Sequence, residues 1–420
     1  MPLFSNFKIK DLSLEHGEIK GFVYRQLENE KEIANKIIQS IENAKGKYIH
    51  SFLKNPLLLS LYILTFQSYA SIPDKKYIFY RRVINALFSE HDSKTKLGFV
   101  REKLCGLNQE QFEDILKAFS FISYFENKFD FETDYVYDKL KAIKERKKYS
   151  FDNEKFILDL KSAIGIWVDD EGQLSFTHRS LQEYFAASFI KELKEQENTR
   201  VYEKIISKLG DHDLIVREIE NLLTLLEEMD TFNYFNNYYI KILNELAIDI
   251  DVNNNITDEY VKKYINYFTE GISIKFGHIQ PKSKRKSLQI DGKNLHLEFS
   301  PSVKESVYRG IQVHFLYTQK LHRYLVEKLN ENLREKLISG IDIAELVKDN
   351  FESANKLNSF VSLIFFENDV IPQEVWNELY TSELIDLANE FRNFIILESQ
   401  KANKLISTTK DTEKDMVDLI

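Results

Sequence analysis

The stretch GIWVDDEGQLSFTHRSLQEYFAA, Gly165–Ala187, decides how the first half of the chain is read. Ile166, Trp167 and Val168 are β-branched or aromatic and suit a short strand. Asp169, Asp170, Glu171 and Gly172 form a polar turn, ending on the residue that takes positive φ without a Cβ clash. Leu174, Ser175 and Phe176 return as a second strand. Thr177 then stands at the expected N-cap, with Ser180 a weaker partner than the Glu of a capping box. Leu181, Tyr184, Phe185 and Ser188 follow at spacings of three and four, on one face of a helix.

Outward from this hairpin and helix, the periodicity predicts helices at Phe112–Ser123, Tyr135–Lys147 and Phe151–Ala163. Further upstream, Ile33, Ile37, Ile38 and Ile41 make one apolar stripe, and Phe7–Ile9 reads as a short strand. Asp11 or Ser13 is placed to cap a helix carrying Ile19, Phe22 and Val23. Asn55-Pro56 reads as a helix start, with Asn55 as N-cap and Pro56 at the first helical position. Downstream, Glu192–Asn198 is a charged, linker-like stretch. Helical patterns follow at Val201–Lys208, Leu214–Met229, Tyr234–Ile248 and Asp258–Phe268. The period then switches: GISIKFGHI alternates, and Asp291-Gly292 lies between alternating apolar residues, a hairpin signal. From Ser302 to Leu405 the chain is expected to be helical, with a frayed polar end at Ser407–Asp418.

Composition narrows the class. The 420 residues allow two or three domains with real cores. Few Gly and Pro residues, with long Lys/Glu/Leu/Ile segments, argue for mostly helix. The net charge of −9 does not favour nucleic acid as a partner. The basic runs KERKK (Lys144–Lys148) and KSKRK (Lys282–Lys286) more often mark solvated faces. One cysteine, Cys105, excludes an intramolecular disulfide and suits a reducing cytosol, so a cytoplasmic setting is expected. No membrane partner is expected, because the longest apolar run, Pro56–Phe66, is too short to span a bilayer.

Catalytic motifs are sparse. Val168-Asp169-Asp170-Glu171 imitates the acidic end of a Walker B strand, but a hairpin tip rich in Asp and Gly needs no such role, and the turn reading is preferred. No G-x-x-x-x-G-K-[ST] occurs, and Gly46-Lys47 follows a helical pattern with Tyr48 where Ser or Thr is needed. No metal-ligand spacing is evident at His296, His314 or His322, so no metal and no catalytic residue is assigned.

Phe176, His178, Gln182, Glu183, Tyr184, Phe185, Ala186 and Ala187 resemble the end of the NACHT module of STAND-class signalling NTPases. That group includes animal inflammasome receptors and bacterial antiviral relatives, and it closes a winged helix with Phe-x-His and Gln-Glu-(Tyr/Phe)-Phe-Ala-Ala. FLKNPLLLSLYILTF (Phe52–Phe66) and IPDKKYIFYRRVINALF (Ile72–Phe88) are similar to the helical segment that follows the family's nucleotide-binding sheet. Both matches stand in the family's order and cover residues 10–190.

The expected fold class is therefore mainly α, in three parts. Residues 1–99 are a NACHT-associated helical domain, and residues 100–190 a winged-helix domain with a small β-hairpin. Residues 191–420 are a mainly helical sensor or partner-binding region with a short β-hairpin insertion. The resemblance implies that Met1 starts inside the module, and that the chain is the regulatory portion of a nucleotide-gated switch rather than an enzyme. In such switches ADP holds the closed state, a ligand opens it, and ATP exchange drives assembly, in bacteria often for antiphage defence. It implies that His178 reaches the β-phosphate of ADP and that Pro56 lies against the base. The residue-level alternatives are a capping or packing histidine and a helix-initiating proline. Glu183, Tyr184 and Phe185 read as packing residues rather than catalysts. ADP or ATP belongs to the intact parent module, and neither is expected to bind this chain tightly alone. The implied partners are a P-loop-containing half or full-length homologue, and an unidentified ligand or effector acting through residues 191–420. A DNA-binding winged-helix regulator and a nucleotide-independent scaffold stay open.

Overall fold

The computed structural model describes residues 12–13, 17–43, 53–68, 73, 75–89, 103–210, 216–246, 256–277, 286–290, 293–303, 315–328, 359–365 and 373–419. The chain divides into two compact units, one of Met1–Val201 with Glu220–Thr231, the other of Tyr202–Ile219 with Phe232–Ile420. The strand expected at Phe7–Ile9, Asp11 and Gly46-Lys47 lie outside the described residues.

In the first unit, α1 (Glu18–Gln26), α2 (Lys31–Glu42), α3 (Pro56–Ser68) and α4 (Lys76–Ser89) precede the hairpin region. The stripe on α2 buries Ala34, Ile37, Ile38 and Ile41. The start of α3 follows from its first two residues. The Asn55 side chain accepts from the Leu58 amide at 3.3 Å, and Pro56 opens the helix where a missing N–H costs nothing.

Then come α5 (Gln109–Phe125), β1 (Asp130–Phe131), α6 (Thr133–Lys147), α7 (Asn153–Leu158), β2 (Trp167–Asp170), β3 (Gln173–Phe176) and α8 (Arg179–Lys191). Asn108 and Gln111 form a reciprocal capping box that extends α5 beyond the expected start at Phe112. Asp152 caps α7. The expected helix Phe151–Ala163 is regular only to Leu158 and closes with a π turn over Asp159–Ala163. That turn carries the buried Asp159 carboxylate to the amides of Leu104 and Cys105, both at 2.8 Å.

The expected two-stranded hairpin is a three-stranded antiparallel sheet of order β1-β3-β2. Asp130 and Phe131 pair with Ser175 and Leu174, and Trp167 pairs with Phe176. Two residues were too few for the alternation rule to mark β1 as a strand. The sheet buries one aromatic face: Phe131 and Trp167 meet Phe119 of α5, with Phe119–Trp167 centroids 5.2 Å apart, and Phe176 packs against both Phe131 and Trp167. Burying each of these rings contributes roughly 1.5–3 kcal/mol.

The N-cap of α8 is His178, one residue later than expected. Thr177 is held back toward the sheet instead. Its amide donates to Ile166 at 2.9 Å and its hydroxyl to the Gly165 carbonyl at 2.9 Å. From Ser180 to Ser188 every residue of α8 is buried, so the helix runs through the interior rather than over it. Beyond it, α9 (Glu195–Gly210) begins inside the stretch read as a linker, and α10 (Val216–Met229) follows.

In the second unit, α11 (Thr231–Tyr234) passes through a π turn at Phe235–Tyr239 into α12 (Ile240–Leu246), and α13 (Asp258–Phe268) follows. Next are β4 (Thr269–Gly277), β5 (Lys286–Ile290), β6 (Lys293–Val303), α14 (Phe315–Lys328), β7 (Ser359–Phe365), α15 (Gln373–Leu379) and α16 (Ser382–Val417). The short hairpin insertion expected here is instead a four-stranded antiparallel sheet of order β5-β6-β4-β7. Residues 291–292, the expected turn, lie outside the described residues, and Ile290 pairs with Lys293 across it. The helical expectation for residues 302–405 fails at β7, because SFVSLIF is a short apolar run that periodicity does not assign between strand and helix. The expected fraying after Ser407 fails as well, since α16 continues to Val417. No helix among the described residues is long and apolar enough to cross a membrane.

Candidate functional site

The β3–α8 junction sets the candidate site. His178 caps α8 from an extended backbone. Its Nδ1 accepts from the Ser180 amide at 3.2 Å and lies 2.6 Å from the Ser180 hydroxyl. An Nδ1 that accepts leaves the proton of a neutral imidazole on Nε2, so the ring can donate from that nitrogen at a helix N-terminus. The ring is half-buried. Pro56, also half-buried, stands at the first turn of α3. Each residue thus does what its local sequence asks, one as cap and one as helix initiator.

The remaining motif residues face inward. Phe176 is buried against Trp167 and Phe131. Gln182, 1 % exposed, donates from Nε2 to the Ser123 hydroxyl at 2.8 Å and to the Lys128 carbonyl at 3.0 Å. It therefore ties α8 to the end of α5 and the segment after it. Tyr184 packs against Tyr80 of α4 at 5.7 Å, and Phe185 is fully enclosed. The Arg81 guanidinium hydrogen-bonds Tyr184 and pairs with the buried Glu113 carboxylate, which also accepts from Gln109 at 2.8 Å.

Glu183 differs from its neighbours because it brings a carboxylate into the interior. It accepts from Asn221 of α10 and forms an ion pair with Arg179, whose Nε lies 3.2 Å away. Burial raises its carboxyl to about 7, against the opposing pull of Asn221, Arg179 and Lys76. Lys76, at the start of α4, is itself buried, and burial lowers its ammonium below the ordinary range despite Glu183, Glu228 and Glu220. Glu228 of α10 accepts from the Tyr77 amide at 3.0 Å and from the Lys76 backbone, so it caps α4 from a distant part of the chain. Reading the sequence for packing accounted for Tyr184 and Phe185 but missed Lys76, Asn221 and Glu228. Only the Glu in an otherwise apolar motif signalled that polar partners had to exist.

The acidic hairpin has local work to do. Asp169 accepts from the Gly172 amide at 3.0 Å and pairs with Lys161, which together hold its carboxyl below the usual range. Its strand is antiparallel to its neighbour, unlike the parallel strand a Walker B segment occupies. In the first basic run, Lys144 donates to the Phe151 carbonyl at 2.7 Å and Lys147 pairs with Asp114 at 2.6 Å. Residues 282–285 of the second run lie outside the described residues. Among the described residues no group of three or more His, Cys, Asp or Glu side chains could hold a metal ion. The Cys105 thiol is raised to about 12 by burial and by the Asp159 carboxylate, which makes it a poor nucleophile. No family model matches the chain. No curated protein matches it either.

Proposed function

We propose that this chain is the regulatory portion of a nucleotide-gated switch of the NACHT/STAND type, with residues 100–190 acting as its winged helix. One observation carries the reading: the order helix, strand, helix, helix, hairpin, helix, with a histidine at the cap where the hairpin enters a buried helix. That order is what a winged helix needs. An Nε2–H at a helix N-terminus has the chemistry to meet a phosphate oxygen. The motif residues that follow are packed rather than catalytic, which suits a lever better than an enzyme.

In this reading His178 donates to the terminal phosphate of ADP, and Pro56 helps wall the base. A P-loop-bearing partner supplies the rest of the pocket, and residues 191–420 receive the ligand or effector. The setting, cytoplasmic antiphage defence, comes with the resemblance. The DNA-binding alternative is weakened by the engagement of Lys144 and Lys147 within their own domain.

The test uses the full chain reconstituted with a P-loop-bearing half and loaded with labelled ADP. His178→Ala is expected to speed ADP release about tenfold or more, the scale of a hydrogen bond to a charged group. Release at the wild-type rate would exclude the latch.

A further inference from the structure

The two ends of α16 meet different surroundings. Along the first, Leu384, Ala388, Phe391, Ile395, Ala402 and Ile406 form one buried stripe, and the helix packs against α12, α13 and α14. At the other, every residue from Lys410 to Leu419 is exposed. The local sequence does little to hold these last turns as helix. Ser407, Thr408, Thr409, Asp411, Thr412 and Asp415 are weak helix formers. Lys410 and Lys414, and Asp411 and Asp415, set like charges four residues apart. A helical segment with neither propensity nor a covered face is marginal in water, so regularity as far as Val417 calls for a further surface to pack on.

The uncovered face has a defined chemistry. A groove runs along Lys404, Leu405, Thr408, Thr409, Thr412 and Glu413. The Thr409 and Thr412 hydroxyls donate to the Leu405 and Thr408 carbonyls at 2.9 and 2.8 Å, so their polar atoms are already bonded. Met416 and Leu419, 60 % and 79 % exposed, add apolar surface beyond it. At 3.6 residues per turn, Lys401, Lys404, Asp415 and Asp418 lie on one flank, within about 100° of arc. Lys404, Asp415 and Asp418 have no ion-pair partner among the described residues, and Lys401 pairs with Glu398 of the same helix at 2.6 Å.

These four charges are self-complementary in one arrangement. Lys401 and Asp418, like Lys404 and Asp415, are equidistant from the bond between Thr409 and Lys410. A two-fold axis at that point relates antiparallel helices and keeps each flank against the same flank. It sets Lys401 against Asp418 and Lys404 against Asp415, twice over, with Leu405 between Thr412 and Met416 of the second copy. Parallel pairing would set lysine on lysine and aspartate on aspartate. We propose that the chain self-associates through the end of α16, as an antiparallel helix pair with a second copy. The inference does not rest on nucleotide binding or on His178.

The experiment is sedimentation equilibrium on the full chain at micromolar concentrations, because a helix pair of this length falls among the smaller specific interfaces. A monomer–dimer equilibrium is expected, weakening as salt rises. Reversing the lysines with Lys401→Glu and Lys404→Glu, or the aspartates with Asp415→Lys and Asp418→Lys, is expected to raise the dimer dissociation constant about tenfold or more. All four reversals in one chain are expected to restore self-association, since each pair is rebuilt with its signs exchanged. That chain is expected not to pair with the wild type. A wild-type chain that stays monomeric, a dimer indifferent to either reversal, or a fourfold variant that fails to re-associate overturns the proposal.

Discussion

Gln182 illustrates how a polar residue earns a place in an apolar helix. Its amide group answers two acceptors, the Ser123 hydroxyl and the Lys128 carbonyl, that α5 and its following turn bury against α8. Gln182→Leu keeps much of the volume but leaves both acceptors without that donor. The expected loss is roughly 1–3 kcal/mol, the cost of an unanswered buried polar group. Trp167 and Trp376 are the two tryptophans of the chain, so a Trp376→Phe background reports the first unit through Trp167 alone. Urea unfolding followed by Trp167 fluorescence should show a lower midpoint for Gln182→Leu. A midpoint equal to the parent's would mean that the two acceptors find other donors.

At the scale of elements, the β2–β3 hairpin holds a correctable strain. Its two turn residues both have positive φ, 53° at Glu171 and 88° at Gly172. Gly172 suits that geometry, whereas Glu171 carries a Cβ and no local compensation of the kind Asn offers. Glu171→Asn should therefore stabilise the first unit by about 0.5–1 kcal/mol, read as a higher midpoint in the same fluorescence assay. A lower midpoint would show that the Glu171 side chain has a stabilising role the turn geometry does not explain. The helices were legible where a cap and an apolar stripe agreed, as at Asn55-Pro56 and along α2. They were less legible where the pattern was interrupted. The π turn at Asp159–Ala163 inserts one residue into a helical period, and β7 presents an apolar run too short to show either period.

At the scale of the whole molecule, the question is whether the chain alone could turn over a triphosphate. No G-x-x-x-x-G-K-[ST] occurs in its 420 residues, and the acidic run that imitates Walker B is a hairpin tip bonded to Gly172 and Lys161. Phosphoryl transfer to water needs backbone amides and a lysine around the phosphates, and an acid to hold Mg²⁺. The purified chain is therefore expected not to turn over ATP or GTP with Mg²⁺. Steady-state hydrolysis that disappears on replacing Asp169 or Asp170 would show that the hairpin has been misread.

By itself the sequence determined the local steps around Gly165–Ala187. It marked a turn ending on glycine, a helix beginning near Thr177, and an apolar helix face through Tyr184 and Phe185. Those features depend on neighbours within a few residues, where propensity, capping and periodicity act. Tertiary structure alone decided what those elements meet. It chose His178 over Thr177 as the cap, because Thr177 is claimed by Gly165 and Ile166. It added β1 to the hairpin and β7 to the second sheet, since strand pairing joins segments far apart in the chain. It also brought Lys76 and Asn221 to the motif helix, from both sides of it in the sequence. A buried carboxylate such as Glu183 announces in sequence that partners are required, but the desolvation that sets its charge exists only once the chain has closed around it.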